Sequence, residues 1–186
     1  STNVGGSAVS ATADGEAQPG SYNVTVETLA TRGTLASEGV TAVDEALTTT
    51  EQTLTFTFGE GDTQTTKEVI IAADSTLEGI RDAINADEDS GVNATIVFDG
   101  TDYRLALSSS ETGADASIAD FSFSGTAPFA ADTTNTLQTG TDAALNVNGI
   151  AITSPTNQVE GAIQGVTLNL QAEGDSTVTV EQNTLA

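Results

Sequence analysis

Apolar and polar residues alternate along much of this 186-residue chain. The clearest segments are SYNVTVETLA from residue 21, TLTFTFG from residue 53 and YRLALS from residue 103. A period of two is typical of a strand with one buried face. Further segments with the composition of strands cover residues 67–72, 93–98, 120–125, 145–148, 150–153, 166–171 and 176–182. The pattern therefore predicts a mainly β fold.

One segment in the middle of the chain has helical spacing instead. Ser75 opens the capping-box sequence Ser-Thr-Leu-Glu, and Leu77, Ile80, Ala83 and Ile84 then fall on one face of a helix. We expect this short helix to bury its apolar face against a sheet.

A second segment near the C-terminal end predicts another short helix. Asn157 can cap it, Val159, Ala162 and Ile163 share a face, and Gly165 stands where the helix would end. The Asn148-Gly149 pair just before it favours a tight hairpin turn. The predicted class is therefore mainly β with two short α-helices, a β-rich α+β fold.

Composition along the chain predicts two small domains. Apolar residues become sparse over residues 31–51 and 121–142, which favours a linker or a domain crossing at each place. We therefore expect a domain at 51–136, inserted into a discontinuous outer domain that consists of residues 1–50 and 137–186. Within the chain, the first twenty residues are the segment most expected to be frayed.

The charge balance and the missing residue types exclude several function classes. The chain has 27 acidic and 4 basic side chains, a formal charge of −23, and no His, Cys, Met or Trp. Zinc sites of ordinary ligand type, catalytic triads, thiol redox centres and haem ligation through His or Met need those residues. We expect no enzyme and no cofactor. Nucleic acid and anionic membranes are excluded as partners by charge repulsion.

The abundant carboxylates leave one site hypothesis open. Calcium prefers oxygen ligands, and its weak candidates are Asp87 and Asp89 in one acidic run, and Asp99 and Asp102 in a predicted turn. Neither segment fits the full EF-hand pattern. A calcium-dependent extracellular adhesin module is therefore an alternative interpretation.

Residues 67–118 resemble a known motif. The features shared with it include Ser75, Leu77, Ile80, Ala83, Ile84, Asn85, Gly91, Val92, Ala94, Asp99, Gly100, Arg104, Leu105 and Leu107. In this order they are similar to the flagellin hook IN motif of bacterial flagellar axial proteins. Another axial protein, a flagellin or a hook-filament junction protein, is a second alternative on this ground.

The later part of the chain narrows the choice among the families that share this motif. The telling residues are Asn148, Gly149, Ile150, Asn157, Ala162, Ile163, Gly165, Val166 and Leu168. With GSYNVTVETLA early in the chain, they resemble the head region of the flagellar filament cap family, hook-associated protein 2. The discontinuous domain would be similar to the cap's D2 domain, and the inserted domain to its D3 domain.

The resemblance implies a structural protein outside the cell, at the tip of the flagellum. In this family an annular cap holds exported flagellin subunits while they fold and insert. Its implied partners are flagellin and further copies of itself, in a ring that the full-length protein forms. The helical leg regions of the family are missing from this chain, which leaves open whether the head alone is a monomer. Some members are implicated in adhesion to host mucus, so a host surface glycoprotein is a further implied partner, although few aromatic residues are present to bind it.

Overall fold

The computed structural model describes residues 1–182, and residues 183–186 of the predicted outer domain lie outside them. The described part contains fourteen strands and one α-helix. In chain order they are β1 (Thr2–Gly5), β2 (Val9–Ala13), β3 (Gly20–Thr28), β4 (Thr34–Ala36), β5 (Gln52–Phe58), β6 (Thr65–Ile71), α1 (Leu77–Ala86), β7 (Val92–Phe98), β8 (Tyr103–Ser109), β9 (Ile118–Phe123), β10 (Ala143–Val147), β11 (Ile150–Ser154), β12 (Gln158–Ile163), β13 (Val166–Leu170) and β14 (Gly174–Val180). The prediction of a mainly β chain is confirmed.

Contacts between residues divide the chain into two compact units. The terminal unit comprises Ser1–Thr31 and Thr141–Ala186, and the middle unit comprises Arg32–Gly140. These bounds differ from the predicted ones over residues 32–50 and 137–140. The difference arises because β4 pairs with β8 inside the middle unit, and a bridge joins its Thr34 to Gln138.

The terminal unit contains two antiparallel sheets. One has the strand order β1-β14-β3-β10-β11, and the other has the order β12-β13-β2. Alternation along each strand directs one set of side chains inward. The buried side chains of this core are all aliphatic. Its fully buried members include Val24, Leu145, Leu168 and Val178.

The first twenty residues, the segment most expected to be frayed, contain two paired strands. Strand β1 pairs with β14, and β2 pairs with β13 so that Val9 lies opposite Leu170. Ala8 and Val9 are buried in the core. These strands are short, and their sequences TNVG and VSATA contain no large apolar residue other than Val, so their alternation is too weak to be recognised before the partner strands are known.

The second predicted helix is also wrong, because residues 158–170 form the hairpin β12–β13. Val159 and Ile163 are both buried, as predicted, but a spacing of four residues places side chains on one side of a strand as well as of a helix. The register shifts between Glu160 and Ile163, and Gly161 there has a φ of 76°. The bulge accommodates the extra residues between Glu160 and Ile163, which interrupt the alternation of apolar and polar positions along β12.

The middle unit contains two three-stranded antiparallel sheets and the helix. The sheets have the orders β4-β8-β7 and β6-β5-β9. Its core is more aromatic than that of the terminal unit. Phe121 makes edge-on contacts with Phe56, Phe123 and Phe129, with ring centroids 5.9 to 6.5 Å apart.

The first predicted helix is confirmed as α1, which packs against β7 and β6. Its cap differs by one residue from the prediction. Thr76 is the N-cap, and its hydroxyl accepts a hydrogen bond from the backbone N–H of Gly79 at 3.0 Å. Ser75 instead donates to the carbonyl of Ala72. No helix among residues 1–182 is long and apolar enough to cross a lipid bilayer.

Candidate functional site

The residues of the hook IN-like segment come together between α1 and the sheets of the middle unit. Leu77, Ile80 and Ile84 are fully buried, and Ala83 packs against the same core from a partly buried position. The stripe predicted from sequence is therefore a packing face. It fixes the helix so that Asn85, directly after Ile84, reaches the neighbouring strand.

The side chain of Asn85 clasps the backbone of β7. Its Nδ2 donates to the carbonyl of Ala94 at 2.9 Å, and its Oδ1 accepts from the Ala94 N–H at 2.8 Å. An amide group placed in this way replaces the pair of bonds that another strand would make. Because β7 is an edge strand, the clasp satisfies part of its free edge.

A second clasp of the same chemistry occurs in the terminal unit. Asn157 Oδ1 accepts from the N–H of Ala30 at 2.7 Å, and its Nδ2 donates to the Ala30 carbonyl at 3.0 Å. The sequence predicted Asn157 as a helix cap. Its side chain instead joins two segments that lie 127 positions apart in the chain.

The Asn148-Gly149 turn lies between β10 and β11. Both residues have positive φ, 49° and 83°, as a two-residue hairpin turn requires. Asn148 is also bound to β3: its N–H donates to the carbonyl of Asn23, and its Oδ1 accepts from the Asn23 N–H, both at 2.9 Å. Ile150, the next residue, is 66% exposed.

Gly165 forms the turn between β12 and β13 next to the buried Ile163. Its φ is 76°, and its carbonyl accepts from the N–H of Asp14 at 2.8 Å. A Cβ at this position would lie 2.4 Å from the backbone nitrogen of Ala17. Glycine is therefore required here by both conformation and space.

An ion pair in the middle unit was not predicted from the sequence. Arg104 Nη2 lies 2.6 Å from Asp132 Oδ2, and Arg104 Nε donates to the carbonyl of Ser37 at 2.8 Å. The hydrogen bond from Arg104 is the main cause that lowers the pKa of Asp132, and bonds from Asn135 add to it. The arrangement ties the segment that was predicted as a linker to β8.

The calcium candidates lie in two separate turns. Asp87 Oδ1 accepts from the N–H of Asp89 at 2.9 Å, while Asp99 Oδ1 accepts from the N–H groups of Thr101 and Asp102. The bonds from Asp102 and then Thr101 lower the pKa of Asp99. Among residues 1–182, no three Asp or Glu side chains form a group that could hold a metal ion. Calcium binding stays a prediction.

A shallow groove of about 380 Å³ lies against the sheet β4-β8-β7. Its lining residues are small or apolar and carry no charge: Thr34, Leu35, Ala36, Asn93, Ala94, Thr95, Ala106, Leu107, Ser108 and Thr136. The lining contains no charged side chain that could act as a general acid or base.

Two family models match the chain. The flagellin hook IN motif matches residues 53–111, which include all of β5 but its first residue, and the whole of β6, α1, β7 and β8. The flagellar hook-associated protein 2 C-terminus matches residues 140–186, which include β10 to β14. The two matches fall on the two segments for which a resemblance was expected.

Individual relatives and solved structures agree with these models. The A-type flagellar hook-associated protein 2 of Pseudomonas aeruginosa is 32% identical over 93% of this chain and 41% of its own length. Flagellar hook-associated protein 2 of Escherichia coli O157:H7 is 42% identical over 58% of this chain and 23% of its own length. The chain thus spans less than half the length of these curated relatives.

The crystal structure of the D2-D3 domains of the flagellar cap protein FliD from Escherichia coli has a TM-score of 0.83 and 32% identity to this chain. The match covers 98% of this chain and 99% of that one. The structure of FliD (HAP2) from Pseudomonas aeruginosa PAO1 has a TM-score of 0.76 and 26% identity, over 94% and 85% of the two chains. The chain belongs to the flagellar cap protein family, hook-associated protein 2.

Proposed function

We propose that this chain is the outer head region of a bacterial flagellar filament cap. The cap lies outside the cell at the filament tip, where it promotes the folding and polymerisation of flagellin. The observation that carries this proposal is the match to the Escherichia coli cap protein's D2-D3 domains over nearly the whole of both chains. Shared fold alone would not assign a function, but here the identity of 32% accompanies it.

Within this proposal, the terminal unit is the D2-like domain and the middle unit is the D3-like domain inserted into it. The contact-based bounds at residues 31/32 and 140/141 support this division. The hook IN-like segment then belongs wholly to the inserted domain.

The proposed role is structural, with flagellin subunits and further copies of the full-length protein as partners in a ring. The polar contacts of the described residues support a structural role over an enzymatic one. Asn85 and Asn157 each bind backbone groups, and Arg104 is paired with Asp132. These polar groups hold segments of the chain together, which is the use expected of them in a structural protein.

Complementation of a bacterium that lacks its cap tests this function. The full-length gene should restore filaments and reduce the flagellin that is lost to the medium. A matched gene without residues 1–186 should restore less, because the head would be missing from the tip. Secretion of both products must be verified, and the host flagellin must be the cognate one.

Failure of the full-length gene under these conditions would overturn the cap assignment. The adhesin alternative would then be tested by melting the chain with and without millimolar calcium. A rise of several degrees would favour that alternative, since a ligand that binds only the folded state raises the melting temperature.

A further inference from the structure

Strand β11 is an edge of the five-stranded sheet in the terminal unit. It pairs with β10 in a register without interruption from Val147 opposite Ile150 to Ala143 opposite Ser154. It contains no charged residue and no proline, and Ile150 is 66% exposed. An edge of this kind presents free backbone groups to another strand, and proteins usually protect such edges.

The other edges of the terminal unit have such protection. Strands β1 and β2 are adjacent, and the Thr2 hydroxyl donates to the carbonyl of Ala11 at 2.8 Å. Strand β12 carries the exposed Glu160 and the bulge that follows it. Charges and bulges are two of the devices that prevent an edge from pairing.

The edges of the middle unit are protected as well. Strand β4 is bridged to Gln138, and β7 is clasped by Asn85. Strand β6 carries Lys67 and Glu68, and β9 carries Asp120 beside a shift in its register with β5. Among the sheets of residues 1–182, β11 therefore differs from the other edges in having neither a charge, a bulge nor a side-chain clasp.

The charge distribution indicates which partner fits this edge. Residues 143–159, from β10 through β11, form the longest run without a charged side chain in a protein of net charge −23. Two copies of so acidic a chain repel each other at most surfaces. No charged side chain of residues 143–159 adds to that repulsion at β11, and a strand can pair with its own copy because an antiparallel contact is two-fold symmetric.

We propose that β11 pairs with β11 of a second copy of this chain, antiparallel and centred on Ile152. The Asn148-Gly149 turn makes Val147 and Ile150 a hydrogen-bonded pair, so the N–H groups of Ala151 and Thr153 point away from β10. Ala151 of each copy then lies opposite Thr153 of the other and exchanges two hydrogen bonds with it. The two Ile152 side chains meet at the centre.

This contact is isologous and joins two copies only, so it differs from the ring contact of the proposed function and does not rest on it. The contact area of a single strand is small, which predicts weak association with a Kd of roughly 0.1 to 1 mM. Sedimentation velocity of the whole chain, up to about 1 mM protein and in about 1 M salt, tests the pairing where charge repulsion is screened.

The wild-type chain should approach the mass of a dimer as its concentration rises. Thr153→Pro removes one outward donor per copy and should weaken association at least about tenfold. The matched variant Thr153→Val retains that N–H and should associate like the wild type. A wild type that is monomeric at every concentration would overturn the pairing, and β11 would then be an edge for a strand of another protein. Association of Thr153→Pro as strong as that of the wild type would also overturn it.

Amide hydrogen exchange of the wild-type chain decides the matter even if Thr153→Pro does not fold. Pairing predicts that exchange at Ala151 and Thr153 slows as the protein concentration increases. Exchange at these two amides that is the same at low and high concentration would contradict the proposal.

Discussion

The two units of this chain differ in how charge and side-chain type are distributed. The terminal unit has 8 acidic residues and no Lys or Arg, whereas the middle unit has 19 acidic residues and all four basic ones. All six Phe residues also lie in the middle unit. The terminal unit therefore depends on strand pairing and an aliphatic core, while the middle unit adds a helix, an aromatic cluster and ion pairs.

Despite this difference, each unit uses an asparagine to clasp a backbone segment. Asn85 holds Ala94 in the middle unit, and Asn157 holds Ala30 in the terminal unit. A neutral amide can satisfy both a donor and an acceptor without a counter-ion. This property suits a chain with few cations, since the clasp adds no further negative charge.

The largest effect is expected at the centre of the middle unit. Ile80→Asp places a carboxylate in a fully buried position and should destabilise this unit by about 5 kcal/mol. The result would be loss of amide protection in β5 and β7. Urea unfolding measures the free energy of unfolding, and hydrogen exchange measures the amide protection of the two strands.

Ile70→Asp is the matched control for this prediction. It is the same substitution in the same unit, at a side chain that is 58% exposed. It should leave unfolding nearly unchanged. Equal unfolding of the two variants would contradict the placement of α1 against the core.

A smaller effect is expected from the two clasps. Asn85→Ala and Asn157→Ala should each cost about 2 kcal/mol, because each removes two hydrogen bonds to partly buried backbone groups. The free energy of unfolding of each variant would be measured, with the exposed Asn93→Ala as control. A lower free energy of unfolding for only one of the two variants would show that the two clasps do not contribute equally to stability.

The smallest effect concerns pH and the Arg104–Asp132 pair. The pKa of Asp132 is lowered in the folded chain, mainly by the hydrogen bond from Arg104. Its stabilising contribution is therefore present above the ordinary carboxyl pKa of 3.8 and is lost as pH falls through the lower folded-state value.

Asp132→Asn should accordingly lower the melting temperature near pH 6, and its difference from the wild type should shrink as pH falls through the lowered pKa of the folded-state Asp132 carboxyl. The exposed Asp44→Asn makes the same change of charge and serves as control. A difference between Asp132→Asn and the wild type that persists at low pH would show that the ion pair is not its cause.

The sequence predicted those elements whose pattern has only one structural interpretation. Strict alternation at Leu54, Phe56 and Phe58 corresponds to a strand with one fully buried face. The four-residue spacing of Val159 and Ile163 is shared by helices and strands, so the choice between them needed the partner strand β13. The short strands β1, β2 and β4 were not predicted, because they too can be recognised only once their partner strands are known.

The site residues divide in the same way. Leu77, Ile80 and Ile84 could be predicted as a buried stripe because helical periodicity is local. The bond between Asn157 and Ala30, and the ion pair of Arg104 with Asp132, join residues that are distant in sequence. Nothing in the local pattern indicates such contacts, since chain topology brings the partners together.

The most direct test asks whether the two ends of the chain share one sheet. The hydroxyls of Ser21 and Thr179 lie 2.9 Å apart on paired strands, and the chain has no cysteine. Ser21→Cys with Thr179→Cys should therefore close a disulfide on mild oxidation, detected by mass and by faster migration on a denaturing gel. Ser21→Cys with Thr25→Cys is the control and should stay reduced, because these two positions lie four residues apart along the extended strand β3. If the first pair also failed to close in the folded monomer, the terminal unit would not exist as described.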